Sequence, residues 1–311
     1  MPNTNITKIT QFVILALSCS ISLACGSFAP DGAAQTRDKA EFEAPVRAGT
    51  LRSPVLKEAS GIAASKCQPN VYWTHNDSGN GALLYAIDGS GSLLGTWSVA
   101  GAKNKDWEDI AAFRDPSGKC FVLIGDIGDN DLERSDLSVY RVAEPDVSAT
   151  AGKNAPQTTE PSRVLDFVYP DVRRNSETLL VHPTTGDIYI LTKSQKEPVS
   201  VYKLKPDFSG EKQRAVKIAE FTVPAVPNGL LTGGDISPDG GRVVLCDYIY
   251  GYELNLPAMA ANFDDIWKQE PLRFDLGDRK AGEAVAFTAD GDAVVAISEE
   301  LNTPVYTVKR K

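Results

Sequence analysis

The sequence predicts an all-β fold, a β-propeller of five blades, from three observations. No long stretch carries helical periodicity. Short runs rich in Val, Ile, Leu, Tyr and Phe are separated by turn signals. One unit recurs along the chain: an acidic residue opens a short apolar strand, a turn follows, and a second apolar strand comes next. The turns include Asp115-Pro116-Ser117-Gly118, Pro183-Thr184-Thr185-Gly186, Ser237-Pro238-Asp239-Gly240 and Ala289-Asp290-Gly291. Each offers Gly where a positive φ is expected, and several offer Pro where the turn needs φ of about −65°.

The units open at Glu58-Ala59-Ser60-Gly61-Ile62, Trp107-Glu108-Asp109-Ile110, Ser176-Glu177-Thr178-Leu179, Gly234-Asp235-Ile236-Ser237 and Gly282-Glu283-Ala284-Val285. Their acids are 50, 69, 58 and 48 residues apart. Such a period, with about four strands per unit, is that of propeller blades. After Glu58 the strands are Val71–Thr74, Leu83–Ile87 and Leu93–Trp97; after Glu108, Phe121–Ile124, Leu137–Tyr140 and Val164–Phe167. After Glu177 come Ile188–Leu191, Val199–Tyr202 and Val216–Ala219; after Asp235, Val243–Leu245, Tyr248–Leu254 and Leu272–Phe274. After Glu283 come only Val294–Ile297 and Val305–Val308, so the last unit lacks an outer strand. The spare segment Pro45 to Leu51 is expected to supply it and to close the ring between the two ends, removing the exposed edges. Six blades remain the alternative, with the extra one in the longer stretch between Tyr140 and Glu177. The one helical candidate is Ala258 to Lys268.

The chain has 311 residues, 42% of them hydrophobic, enough for a sizeable core. A net charge of −9 argues against nucleic acid, which needs a basic surface. Two histidines and two methionines make a histidine-rich zinc or copper site improbable.

Lys8 precedes an uncharged run from Phe12 to Ala24, too short to span a bilayer but right for a signal peptide. It ends at Ser22-Leu23-Ala24-Cys25-Gly26, which resembles the lipobox of bacterial lipoproteins, although Ser22 stands where an aliphatic residue is usual. The resemblance implies a leader over residues 1–24, lipidation at Cys25 and an extracytoplasmic place in the bacterial cell envelope. An ordinary secretory peptide is the alternative. Residues 25–45 read as a flexible tether and residues 46–311 as the propeller. Three further cysteines remain. Cys67 and Cys120 sit just before the second strands of successive units and form the candidate disulfide, with free thiols as the alternative. Cys246, inside Val243-Val244-Leu245-Cys246, reads as a core thiol.

In a blade the start of the first strand and the end of the second meet at one face near the axis. The first-strand starts carry Glu58, Glu108, Glu177 and Glu283. The second-strand ends carry His75-Asn76-Asp77-Ser78-Gly79-Asn80, Gly125-Asp126-Ile127-Gly128-Asp129-Asn130, Lys193-Ser194, Cys246-Asp247 and Ser298-Glu299. An acidic ring around a central mouth is expected. Crowded carboxylates need a cation, shared protons or donors, and hard oxygen ligands suit Ca²⁺. Glu58, Glu108, Glu177 and Glu283 are therefore the candidate calcium ligands. Alternatively, each acid caps a loop within its own blade. Asp235 is offset in its unit, with Thr232 in the place matching Glu283, so the ring is not uniformly acidic. Asp126, Asp129, Asn130, Arg134, Lys193 and Asp247 are candidate ligand-binding residues. Arg134 and Lys193 would hold a phosphate or carboxylate, or else pair with neighbouring acids. His75 and Asp77 are candidates for proton transfer. Tyr72, Trp73 and Trp107 read as core. No nucleophile elbow, phosphate loop or dinucleotide fingerprint is present.

The runs Glu58-Ala-Ser-Gly-Ile62, Trp73-Thr-His-Asn-Asp77-Ser-Gly-Asn80, Asp106-Trp-Glu-Asp-Ile-Ala111 and Gly125-Asp-Ile-Gly-Asp-Asn130 together resemble a family of secreted bacterial propeller proteins. Asp235-Ile-Ser-Pro-Asp-Gly240 and Gly282-Glu-Ala-Val-Ala-Phe287 fit the same pattern. The first-blade motif is also similar to those of phytase esterase-like domains and the SdiA-regulated propeller family. The layout is more distantly similar to calcium-dependent lactonase propellers, whose coordinating residues have no position-by-position match here. The resemblance implies fold rather than activity. Three readings stay open: an envelope propeller binding a small molecule or protein on its acidic face with Ca²⁺, a calcium-dependent hydrolase of an ester, lactone or phosphoester, and a purely structural lipoprotein. A monomer is expected, touching the membrane only through its N-terminal lipid.

Overall fold

The computed structural model describes residues 42–150, 155–224 and 230–311. The leader, the tether to residue 41 and Cys25 lie outside the described residues.

The first strand, β1 (Val46–Thr50), precedes blade 1, which is built from β2 (Ala59–Ala64), β3 (Tyr72–Asn76), β4 (Leu83–Ile87) and β5 (Leu93–Ser98). Blade 2 opens with β6 (Trp107–Arg114), β7 (Cys120–Asp126) and β8 (Leu137–Ala143). The two-residue β9 (Gln157–Thr158) then adds in parallel to the outer edge of β5, before β10 (Arg163–Val168) completes the antiparallel part of blade 2. Blade 3 comprises β11 (Ser176–Val181), β12 (Ile188–Thr192) and β13 (Val199–Leu204); β14 (Gln213–Arg214) pairs in parallel with β10, and β15 (Val216–Phe221) finishes the blade. Blade 4 is β16 (Gly233–Ile236), β17 (Arg242–Cys246), β18 (Tyr250–Asn255) and β19 (Leu272–Asp275). Blade 5 is β20 (Gly282–Phe287), β21 (Ala293–Ser298) and β22 (Pro304–Lys309). Its outer strand is β1, antiparallel to β22 from Val46↔Thr307 to Thr50↔Pro304.

The five sheets establish five blades, closed by the N-terminal strand as expected. The stretch between Tyr140 and Glu177 holds a short 3-10 helix (Val147–Thr150), β9 and β10 rather than a sixth blade. The helical candidate at Ala258–Lys268 shrinks to a 3-10 helix over Phe263–Lys268, started by the Asn262 side chain accepting from the Asp264 backbone N–H. It packs Trp267 5.7 Å from the Tyr189 ring, over the seam of blades 3 and 4.

Strand alternation explains how the blades stack. Successive side chains point to opposite faces of a sheet. On β7, Leu123 packs into the seam with blade 3 beside Leu179 and Ile190, while Val122 and Ile124 pack into the seam with blade 1 beside Trp73 and Leu84. Both faces of every blade are thus apolar, and one core cluster fills each seam around the ring. Trp73 and Trp107 are fully buried in the first seam, and Tyr72 is buried against blade 5. The first strands form a closed inner ring, β2 against β6, β6 against β11, β11 against β16, β16 against β20, and β20 against β2.

Two carboxylates tie this ring from inside. Asp109 accepts from the Leu179 backbone N–H at 2.9 Å, joining blades 2 and 3. Asp235 accepts from the Phe287 backbone N–H at 3.0 Å, joining blades 4 and 5. Burial pushes both carboxyls above the ordinary range. At the end of the molecule where first strands finish and second strands start, a disulfide links Cys67 of blade 1 to Cys120 of blade 2. Cys246 is a buried free thiol between blades 4 and 5, with its pKa pushed up to about 12 by burial.

Candidate cation site at the propeller mouth

The opposite end gathers the acids, and β-bulges determine which ones. The pairing of β6 with β7 slips between Trp107 and Asp109, that of β11 with β12 between Ser176 and Thr178, and that of β20 with β21 between Gly282 and Ala284. The residue at each slip is a glutamate: Glu108, Glu177 or Glu283. A bulge leaves one residue out of the ladder and re-aims its side chain. All three are buried near the axis. In blade 1 the slip falls between Ala59 and Ile62, so Glu58 stands before the bulge rather than on it. Its carboxylate accepts from the Asn80 amide at 2.6 Å and remains half exposed. In blade 4, β16 pairs with β17 without a slip, and Thr232 donates to the Gly282 carbonyl at 3.0 Å.

Lys193, just past β12, is the cation of the mouth. Its ammonium bonds the Glu177 carboxylate and lies 4.7 Å from the centre of the Tyr248 ring. It also lowers the pKa values of Glu108, Asp77, Glu283 and Glu299, which places all of these groups in one electrostatic neighbourhood. Lys193, with Arg134 acting on Asp106, does not compensate so many acids. Burial, with Glu177, Glu299 and Asp77 adding repulsion against the pull of Lys193, raises Glu283 to about 9. Burial, then the charges of Glu177, Asp77 and Asp106, raises Glu108 well above the carboxylate range.

Three carboxylates come closest. One oxygen each from Asp77, Asp106 and Glu108 lies within 4.8 Å of the other two. Asp77 follows β3 and Asp106 precedes β6, so two neighbouring blades build the cluster. Asp106 is raised by burial and by Asp77, against Arg134. The separation fits a common hard cation, because Ca²⁺ binds oxygens at about 2.3–2.6 Å, and two ligands across one ion are then up to about 5 Å apart. Gly128 makes room for the pair on β6: a Cβ there would run into the carboxylates of both Glu108 and Asp106. Three carboxylates can supply three to six oxygens, a hard set suited to Ca²⁺ or Mg²⁺ and unsuited to copper.

The remaining sequence candidates are supports for this cluster or lie apart from it. Asp126 accepts from the Asp106 backbone N–H at 3.1 Å and pairs with Arg134 at 2.6 Å. Arg134 also donates to the Gly128 carbonyl at 2.6 Å, so it is committed to shaping this loop. Asp129 accepts from the backbone N–H groups of Glu133 and Arg134, a loop-capping role. Asn130 accepts from the Asn175 amide, which also donates to Glu177 at 3.3 Å. Asp247 accepts from the Ile249 and Tyr250 N–H groups and from the Tyr252 hydroxyl, an Asx turn closed inside blade 4. These acids follow the loop-capping alternative. His75 is fully buried, edge-on to Trp107 at 5.6 Å, with its pKa lowered to about 4 by burial. It is a neutral core ring at physiological pH, with no solvent exposure from which to serve as a base. Of the four glutamates read as metal ligands, Glu108 alone belongs to the triad. Glu177 is held by Lys193, Glu283 stands near it, and Glu58 turns to Asn80. Asp106, not among the glutamates that the repeat marks, completes the triad; it lies two residues before Glu108, a spacing that puts both carboxylates on the same side of an extended chain.

The fold and site together define a five-bladed propeller with an acidic axial mouth carrying a three-carboxylate cluster. Comparison with protein-family models and with curated proteins finds no match to the chain.

Proposed function

We propose that the protein is an envelope-anchored, exported propeller whose mouth binds a divalent cation, calcium by its ligand chemistry, and through it a ligand on the acidic face. The observation that carries this reading is the convergence of Asp77, Asp106 and Glu108 on one point in a mouth already overloaded with negative charge. Carboxylates held this close are stable when a cation is shared between them. Lys193 and the inward-facing glutamates then form the surrounding field, and the rim loops supply contacts to the ligand.

Two features support export: the uncharged run ending at Cys25 and the Cys67–Cys120 disulfide, a bond that persists in oxidising compartments. The resemblance of the first-blade motifs to secreted bacterial propellers agrees with it. Among the described residues, no helix is long and apolar enough to cross a membrane.

The test is a melting curve of the purified protein in calcium and in chelator. Saturation to about 100 times the dissociation constant stabilises by about 2.7 kcal/mol, and the rise should vanish in Glu108→Gln. An equal melting temperature in calcium and in chelator would overturn the cation site and the reading built on it.

A further inference from the structure

Beside the mouth, over blade 3, lies a cleft of about 1000 Å³ that includes Lys193 and Tyr248 in its wall. Its charge is opposite to that of the molecule. The protein carries a net −9, yet the cleft is lined by Arg173, Arg174, Lys193 and Lys196 against only two carboxylates, Asp171 and Glu197. Both of those acids are taken by Arg174. Lys193 is held by Glu177 and acts on the mouth acids, so it lines the cleft as a committed charge. Arg173 and Lys196 are exposed and form no ion pair among the described residues. They are surplus positive charge in a concave site.

The other wall is apolar and also unexplained by packing. Leu132 is 48% exposed and Val172 58% exposed, although both are large aliphatic residues lining the cleft. Leu132 holds a left-handed backbone conformation, φ 56°, which a branched residue adopts at a cost. Its backbone N–H closes a turn on the Asp129 carbonyl at 3.0 Å, while its side chain is left half exposed at the cleft rim. It is placed where a bound molecule would cover it.

We infer that this cleft binds an organic phosphate monoester, its head on Arg173 and Lys196 and its apolar body on Leu132 and Val172. Guanidinium and ammonium groups recognise phosphate oxygens by charge-assisted hydrogen bonds. The volume exceeds what inorganic phosphate fills and suits a small organic ligand. The inference goes beyond the reading of the mouth: the cleft is a second site beside it, with a ligand of its own. Lys193 joins the two sites, since it borders the cleft and also acts on Glu108 and Asp77.

Phenyl phosphate is the probe, titrated calorimetrically into the full protein in chelator, with phenol and inorganic phosphate as the two halves of the ligand. Saturable binding is expected with a dissociation constant on the order of 1 mM or below, and tighter than for either half. Arg173→Ala and Lys196→Ala, both at exposed positions, should each weaken it by about fivefold or more. Val172→Ser should weaken phenyl phosphate and leave inorganic phosphate unchanged. The calcium-dependent melting shift, measured on the same variants, should persist, so that failure of the cleft and failure of the cation site are read separately. Absence of saturable binding, equal binding of phenol, or indifference to both cation variants would overturn the inference.

Discussion

Glu283 offers the sharpest test of the electrostatics at the mouth. Its folded pKa lies at about 9 against an ordinary 4.5, chiefly through burial, with Glu177, Glu299 and Asp77 adding repulsion that Lys193 only partly offsets. The sign follows from proton linkage. A carboxyl with a raised folded pKa contributes stability that is intact below about 4.5 and is lost as pH rises toward about 9, because the unfolded chain releases the proton first. Between pH 4.5 and 7 that loss is 2.5 units at about 1.4 kcal/mol each, or on the order of 3 kcal/mol. Glutamine keeps the shape and the hydrogen-bond donor and has nothing to ionise. Glu283→Gln should therefore match the wild type near pH 4.5 and exceed it by about 2–3 kcal/mol at pH 7, with a gap that widens toward pH 8. The assay is urea unfolding in chelator at several pH values, with midpoints and slopes compared. A stability difference that does not change with pH would refute the placement of a protonated Glu283 beside the other mouth acids.

Three further outcomes follow from the same geometry. Asp106→Asn should cross over: more stable than the wild type in chelator, because one repelling charge is gone, and less stable in saturating calcium, because one ligand is gone; thermal melting in the two buffers reads both signs. Gly128→Ala should abolish the calcium-dependent shift while the far-ultraviolet circular dichroism spectrum stays that of the wild type, since the added methyl displaces the Glu108 and Asp106 carboxylates rather than the core. Replacing Cys67 and Cys120 by serine opens a loop with a sequence separation of 53, and the chain-entropy relation then gives a loss of about 4 kcal/mol, measurable by chemical unfolding without any effect on calcium affinity.

Much of the fold was legible because blade strands are buried on both faces and end at turns with fixed chemistry. Leu83–Ile87 and Leu272–Phe274 announced themselves by composition alone, and Gly240, at φ 71°, stands where its turn needs a left-handed residue. The parallel strands β9 and β14 did not, because two residues carry no periodicity and pair through backbone alone. At the site, the acids of the mouth were visible as a set, but their partition was not. A bulge is a property of pairing between strands, so sequence could not tell that Glu108 would be turned inward on β6 while Glu58 stood ahead of its own bulge. His75 failed for a related reason: a histidine in a polar run reads as a loop residue until the Trp107 ring that covers it comes from the next blade. Arg173 and Lys196 line one cleft because the connection from blade 2 to blade 3 lies beside the β12–β13 loop of blade 3.

The most direct test of the cation site is calorimetric titration of calcium into the metal-stripped protein and into Glu108→Gln and Asp106→Asn. Saturable binding at a single site in the wild type, lost in both variants while inward-facing Glu177→Gln retains it, is the outcome the geometry requires. No binding by the wild type, or undiminished binding by the two triad variants, would show that Asp77, Asp106 and Glu108 do not share a cation.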